Sequence, residues 1–408
     1  MPHESHQPAA EVAETVARRS YGKLVAFLAA RRGDVAAAED ALADAFAAAL
    51  SDWATSGIPR NPEAWLMAVA RRRLIDAARR RRTGDEAADH LRLLAEELGQ
   101  AMDETAIPDK RLALMFACAH PAIDPAIRAP LILQTILGFD AVAIASAFLV
   151  SPATMGQRLV RAKHKIRHAG IPLRVPERAE MPERLDAVLT AIYAAFAGGW
   201  QDAARHNLAE EALWLGRLVV LLLPDEPEAL GLLALMLHAE ARCAARRDAA
   251  GAYVPLDQQD TWLWDARMIE EAEALLLRAS AARVIGRYQL EAAVQSAHAA
   301  RRLTGRSDWV AIERLYAALS AITDSPVVAI NHAVALAETR RADEGLARLE
   351  ELAVDRRLAD YQPYWAARAE LLARTGQTDA ANLAYQRAIG LETDPAVREY
   401  LQRRSQEL

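Results

Sequence analysis

Apolar residues recur at three- and four-residue spacing through almost every segment of this chain, and no run alternates in the strict two-residue rhythm of a half-buried strand. A chain patterned in this way buries its apolar surface by packing helices on helices. The expected fold class is therefore all-α. Proline and glycine interrupt the pattern at 57–62, 121–125, 170–182, 224–227, 251–255 and near Pro326, and these breaks divide the chain into helical blocks. With 408 residues, more than one core is expected. The division is a first block over 10–83, a polar, acid-rich linker over 84–110 with a short helix at Leu91–Leu98, a second block over 111–170, and a long helical region over 183–408.

In the first block the spacing predicts helices around Glu11–Arg31, Val35–Ala54 and Glu63–Arg82. The last ends in RRRLIDAARRRR, seven arginines and one acid in a chain whose net charge is −6. Trp65, Leu66, Val69, Ala70, Leu74, Ala77 and Ala78 mark an inner face, which leaves Arg72, Arg73, Arg79 and Arg80 together on the outer one. Guanidiniums fixed in this way form charge-assisted, often bidentate, hydrogen bonds to phosphates, so a polyanion is the expected partner. An ordinary solvated basic face would give the same pattern, and these residues alone leave both readings open.

A second basic element lies in FDAVAIASAFLVSPATMGQRLVRAKHKIRHAG. Ala141–Ala147 reads as a short apolar helix and Leu149 and Val150 as a turn. Ser151 is placed to cap the next helix, with Pro152 at its first position, where a missing N–H costs nothing. Met155, Leu159, Ala162 and Ile166 fall on the inner face of that helix; Thr154, Gln157, Arg158, Arg161, Lys163 and Lys165 fall outside. From Ser151 to Arg174 there are basic residues and no acids. Polar groups near the N-terminus of a helix and bases farther along suit a recognition helix in the major groove, although a helical hairpin with a basic face is the plainer alternative.

Toward the C-terminus, Ala333, Leu336, Gly345, Leu349 and Leu352 recur as Ala369, Leu372, Ala381, Tyr385 and Ala388, each 36 residues on. Small residues at fixed positions let paired helices approach closely while large ones fill the gaps between neighbouring pairs. The pattern, with Gly376 between two helices and Asp394-Pro395 after them, resembles the tetratricopeptide repeat (TPR). Helices at Gln289–Leu303 and Ser307–Ile322 are expected to extend the stack, a bundle of unrelated pairs being the alternative.

No catalytic or metal-binding constellation emerges, and no cofactor is expected. Cys118 and Cys243 are too far apart in sequence for a CxxC site, and the sets His238, Glu240, Cys243 and Cys118, His120 each lack further ligands, so packing and capping roles are expected. The start of the chain lacks an apolar signal core, and the strongest apolar stretch is broken by PDEPE. A cytoplasmic protein without a membrane partner is expected. Asp257, Asp260, Trp262, Trp264 and Asp265 form a polar–aromatic cluster suited to pinning a loop or docking a peptide.

Two basic helical modules about eighty residues apart, carried by AEDALADAF, WLMAVARRRLIDAARRR and ATMGQRLVRAKHKIR, resemble regions 2 and 4 of RNA polymerase sigma factors of the extracytoplasmic-function (ECF) subfamily, over residues 10–170. YAAFAGGW, DQQDTWLWD and GRYQLEAAVQSAHA resemble recurrent strings of a subgroup with a TPR-like C-terminal extension. The resemblance implies a non-enzymatic initiation factor that binds core RNA polymerase through the β′ and β subunits and reads promoter DNA, with a further protein partner on the C-terminal repeats. Glu39, Asp40, Asp44 and Trp53 would face polymerase. Arg60 and Asn61, in the loop 56–61, would capture a base flipped from the −10 element, beside phosphate contacts from Arg71, Arg72, Arg73, Arg79 and Arg80. Thr154, Gln157, Arg158, Arg161, Lys163 and Lys165 would meet the −35 element. A helical-repeat adaptor with a basic, DNA-binding N-terminal half, acting without polymerase, is the competing reading, but it leaves the acidic helix before the arginine helix unexplained.

Overall fold

Every regular element among the described residues of the computed structural model is helical, apart from one isolated antiparallel bridge between Arg247 and Tyr253. The described residues are 7–30, 34–81, 110–177, 180–201, 206–339 and 341–408. The expected linker helix at Leu91–Leu98 lies outside them. The chain divides into two units, Met1–Gly198 and Gly199–Leu408.

The first unit opens with helices α1 (Gln7–Ala29), α2 (Val35–Ser56) and α3 (Pro62–Arg81), each packed on the other two. Asp34 caps α2 by accepting from Ala37 N at 3.0 Å, and Gly57, at φ 84°, ends it in a conformation other residues adopt only with strain. Asn61 caps α3 by accepting from Ala64 N at 3.1 Å. Ala38, Ala41, Ala45 and Ala49 are buried along α2, and their small side chains let neighbouring helices approach it closely. Leu24 and Val25 of α1, Leu42 of α2 and Leu66 of α3 are buried with them.

Helices α4 (Arg111–Cys118), α5 (Pro125–Leu137), α6 (Ala141–Ala147) and α7 (Pro152–His168) follow, and α8 (Pro182–Gln201) runs past the end of the unit at Gly198. Asp124, Asp140 and Ser151 cap α5, α6 and α7 in turn, accepting from Ala126 N, Ala143 N and Thr154 N. This second set packs on the first: α1 lies on α4 and α5, and α2 lies on α7. The α1–α5 crossing is closest at Gly22, where an added Cβ would stand 1.8 Å from Ile136 O.

In the second unit α9 (His206–Leu222), α10 (Pro227–Glu240), α11 (Ala266–Ser280), α12 (Arg287–Ala299), the single turn α13 (Arg301–Thr304), α14 (Trp309–Ile322), α15 (Pro326–Glu338), α16 (Ala342–Glu351), α17 (Gln362–Arg374), α18 (Thr378–Leu391) and α19 (Pro395–Gln406) build a helical stack. Sequence neighbours pack on one another from α14 to α19, and α12 joins α10 to α14. Seven of the ten residues of the 36-residue repeat line one core: Ala333, Leu349, Ala369, Leu372, Ala381, Tyr385 and Ala388 are buried in it, and Leu352 packs against it partly buried. Gly376 ends α17 at φ 77°. Gly345 sits where α16 crosses α15, and a Cβ there would fall 2.5 Å from Ala333 O. Gly345→Val must therefore push the two helices apart, at a cost of about 1–3 kcal/mol, read as a lowered urea midpoint of the second unit.

Candidate nucleic-acid and polymerase interface

On α3 the inner face is held by Leu66, Met67 and Ala70, all buried, and by Trp65, whose ring meets Trp53 edge-on at 5.5 Å. The outer face exposes Arg72 and Arg73. Arg73 Nε stands 4.0 Å from Asp44 Oδ2 of α2, a solvent-screened pair that adds little stability. Arg71 behaves differently from its two neighbours: its guanidinium lies over the Phe27 ring at 5.1 Å, half-buried against α1. The backbone of Arg79 and Arg80 continues the helix, while their side chains fall outside the described residues.

The loop before α3 exposes Ile58, Arg60 and Asn61. The amide oxygen of Asn61 is committed to the α3 cap, which leaves its amide N–H₂ as the group able to donate to a captured base. The signal was already present, since Asn directly before a proline at the first helical position is a capping pattern. Glu63, in the first turn of α3, accepts from Ser20 and from Lys23 Nζ at 3.3 Å, tying the helix to α1.

Asp40 and Asp44 are exposed on α2 and stand on the same side of the unit as Arg73. Trp53 is not a surface group. It is 3% exposed, because it continues the core face set by Ala38, Leu42, Ala45 and Ala49 at helical spacing, so its expected contact with polymerase gives way to a role in the core. Glu39 is also turned inward: its Oε2 lies 2.5 Å from Lys163 Nζ, with the two side chains 15% and 14% exposed. Burial raises the Glu39 carboxyl above the ordinary range, and the Lys163 ammonium pulls it back down.

Helices α6 and α7 follow the predicted layout closely. Ser151 Oγ accepts from Thr154 N at 3.3 Å, and Met155, Leu159, Ala162 and Ile166 are buried in a row. Leu149 in the turn adopts φ 54°, a left-handed conformation for a branched side chain that sequence patterning does not reveal. Thr154, Gln157, Arg158, Arg161 and Lys165 are exposed on the outer face. Lys163 departs from them, drawn to Glu39, and Arg167 Nη1 stands 3.7 Å from Asp34 Oδ2 in the same contact. Arg167 and Gly22 were not singled out by sequence, since nothing local distinguishes them; for Asp34 the local signal, its place directly before α2, marks the cap and not the contact with Arg167.

The remaining polar clusters are built into the fold. Cys118 is fully buried with its sulfur 3.6 Å from Thr135 Oγ1, and burial pushes the thiol up to about 12. His120 Nδ1 accepts from Ala122 N at 3.1 Å. His238 is buried 3.4 Å from a Glu273 carboxylate oxygen, and burial together with Arg242 pushes its imidazole down to about 4. In the polar–aromatic cluster, Asp260 caps a short helical turn and Asp265 caps α11, and Trp264 is buried under the Arg301 guanidinium at 5.2 Å. Trp262, by contrast, is 84% exposed. Among the described residues no group of three or more His, Cys, Asp or Glu side chains could hold a metal ion, and no helix is long and apolar enough to cross a membrane.

Residues 16–83, which enclose the arginine helix and the acidic helix before it, match the family model for sigma-70 region 2. Residues 184–280 match a family of unknown function, DUF6596. An uncharacterized protein of Rhizobium meliloti is 38% identical over 374 residues, covering 89% of this chain and 88% of that protein. No solved structure matches the chain.

Proposed function

The chain belongs to one family with the uncharacterized Rhizobium meliloti protein and carries a sigma-70 region 2, and from that premise we propose that it is an ECF-type sigma factor with a regulatory, TPR-like C-terminal region. It binds core RNA polymerase, directs it to promoters through −10 and −35 elements, and promotes local melting. The observation that carries this reading is the placement, inside the matched region 2, of exposed Asp40 and Asp44 on α2 beside exposed Arg72 and Arg73 on α3. A helix that needed only a wet surface has no reason to segregate acids and arginines in this way. Acids orient the protein on a basic polymerase surface, and arginines hold the backbone of the melted strand. Arg60 and the free amide of Asn61 stand in the loop before α3, where an unstacked base is received at a cost of a few kcal/mol, offset by pocket contacts.

On the second module Gln157, Arg158 and Arg161 of α7 provide base-edge and phosphate contacts, with Thr154 at the N-terminal turn and Lys165 on the backbone. A bidentate base contact there contributes about 1–3 kcal/mol of discrimination. The linker over 84–110 tethers this module to the first, so that each raises the effective concentration of the other on one promoter. The stacked hairpins of the second unit present a surface suited to a protein partner, as helical solenoids do.

The reading is tested by permanganate footprinting on genomic fragments with purified core polymerase. Thymines become reactive over a short window only when both core and this chain are present. Asp40→Lys with Asp44→Lys abolishes that reactivity without weakening the binding of the chain to DNA alone, since the added charge stands beside Arg73. Reactivity that needs no polymerase, or none with it, overturns the proposal.

A further inference from the structure

Three features of the first unit meet at one contact between its two sets of helices. The first is the Glu39–Lys163 pair, at 2.5 Å and largely shielded from water. Charged side chains are seldom buried unless they are paired, and breaking such a pair strands a buried charge. The second is Arg167 with Asp34, which joins the same two helices at 3.7 Å. Lys163 and Arg167 are four residues apart and so stand on one stripe of α7, which turns that stripe toward α2. The third is Gly22, whose bare Cα lets α1 approach the Ile136 carbonyl of α5 more closely than any side chain permits. A glycine inside a helix destabilises it relative to alanine, so its place in α1 is accounted for by this crossing and not by the helix itself. Tyr21, beside it, is half-buried near the same contact, with its phenol pushed upward by burial and then by Glu39 and Asp40.

We propose that this contact is an autoinhibitory clasp, in which α2 holds α7 through Glu39–Lys163 and Asp34–Arg167 and α1 is seated on α5 at Gly22. The inference rests on the sigma-factor reading above. In the closed form, Glu39 of the polymerase-facing helix and Lys163 of the DNA-facing helix satisfy each other, so neither is available to its outside partner. Binding to polymerase requires the clasp to open, and the apparent affinity is reduced by the fraction of molecules that are open. Because the two ion pairs and the glycine crossing act on the same pair of surfaces, opening is a two-state event and not a gradual loosening.

Gly22→Ala and Asp34→Asn test this in the full-length chain. Alanine favours the α1 helix while forcing it off Ile136, and asparagine keeps the α2 cap while removing the charge opposite Arg167. Spin labels at Ser51→Cys and Val160→Cys, both exposed, report the separation of α2 and α7 in a Cys243→Ser background. Core RNA polymerase is the binding probe, since no promoter sequence is needed. Wild type gives a single short distance. Gly22→Ala shifts most molecules to longer distances and tightens core binding about tenfold, and Asp34→Asn does both to a smaller degree, about threefold. Far-UV circular dichroism confirms that each variant keeps its helices. Distances that stay short in both variants, or that lengthen without tighter core binding, overturn the clasp while leaving the sigma reading intact. Absence of core binding by all three proteins overturns the sigma reading and the clasp with it.

Discussion

Trp53→Ala lowers the stability of the first helical unit by about 3–5 kcal/mol, the cost of emptying a large aromatic site in a packed core. The indole is 3% exposed and meets Trp65 edge-on, so its removal strips α2 and α3 of their shared anchor near the loop that precedes the arginine helix. Urea unfolding followed by circular dichroism reads this as a large fall in midpoint with little change in slope. Trp53→Phe recovers most of the loss, because the ring volume is largely retained. A residue serving only as a surface contact would change stability by less than about 0.5 kcal/mol. The variant also loses polymerase binding, and it does so because the helices that carry Asp40, Asp44 and the arginines no longer hold their places.

The reverse pattern is expected for Arg72→Glu with Arg73→Glu. Both side chains are exposed, and the Asp44 carboxylate 4.0 Å from Arg73 is a solvent-screened partner, so the thermal midpoint stays within a degree or two of wild type. Promoter binding by the polymerase complex falls by roughly two orders of magnitude, and the slope of log affinity against log salt drops by about 2, one unit for each lost phosphate contact. The loss is uniform across promoter sequences, because phosphate contacts carry no base information. Arg71→Ala gives a smaller loss in DNA binding and a larger one in stability, since its guanidinium covers Phe27. A double reversal that left the salt slope unchanged would remove α3 from the DNA interface.

Much of this was legible in the chain because it depends on neighbours three and four residues away. The buried row Met155, Leu159, Ala162 and Ile166, the Ser151 cap with Pro152 behind it, and the arginine face of α3 all follow from local spacing. The helical hairpins containing Gly345 and Gly376 were legible as well, because repetition at 36 residues marks equivalent packing sites. Where local spacing was applied incompletely the reading erred. Trp53 falls on the same stripe as Leu42, Ala45 and Ala49, so its assignment to the surface could have been corrected from sequence, and the cap formed by the exposed Asn61 could have been read from its place before Pro62.

Lys163 is a different case. By periodicity it belongs with Arg158, Arg161 and Lys165, and only the approach of α2, some 124 residues earlier in the chain, makes it a buried partner of Glu39. Gly22 is invisible for the same reason: its meaning lies in a carbonyl of another helix. Side-chain polarity along one helix shows which face is wet, but not which wet face another element will cover.

The most direct test of the central claim is run-off transcription on fragmented genomic DNA, using purified core RNA polymerase with and without the full-length chain and mapping the 5′ ends. The sigma reading predicts discrete start sites that appear only with the chain, share sequence elements upstream, and disappear with Arg72→Glu and Arg73→Glu. Start sites no different from those of core polymerase alone, with DNA binding retained, would contradict it and leave a helical-repeat DNA-binding adaptor in its place.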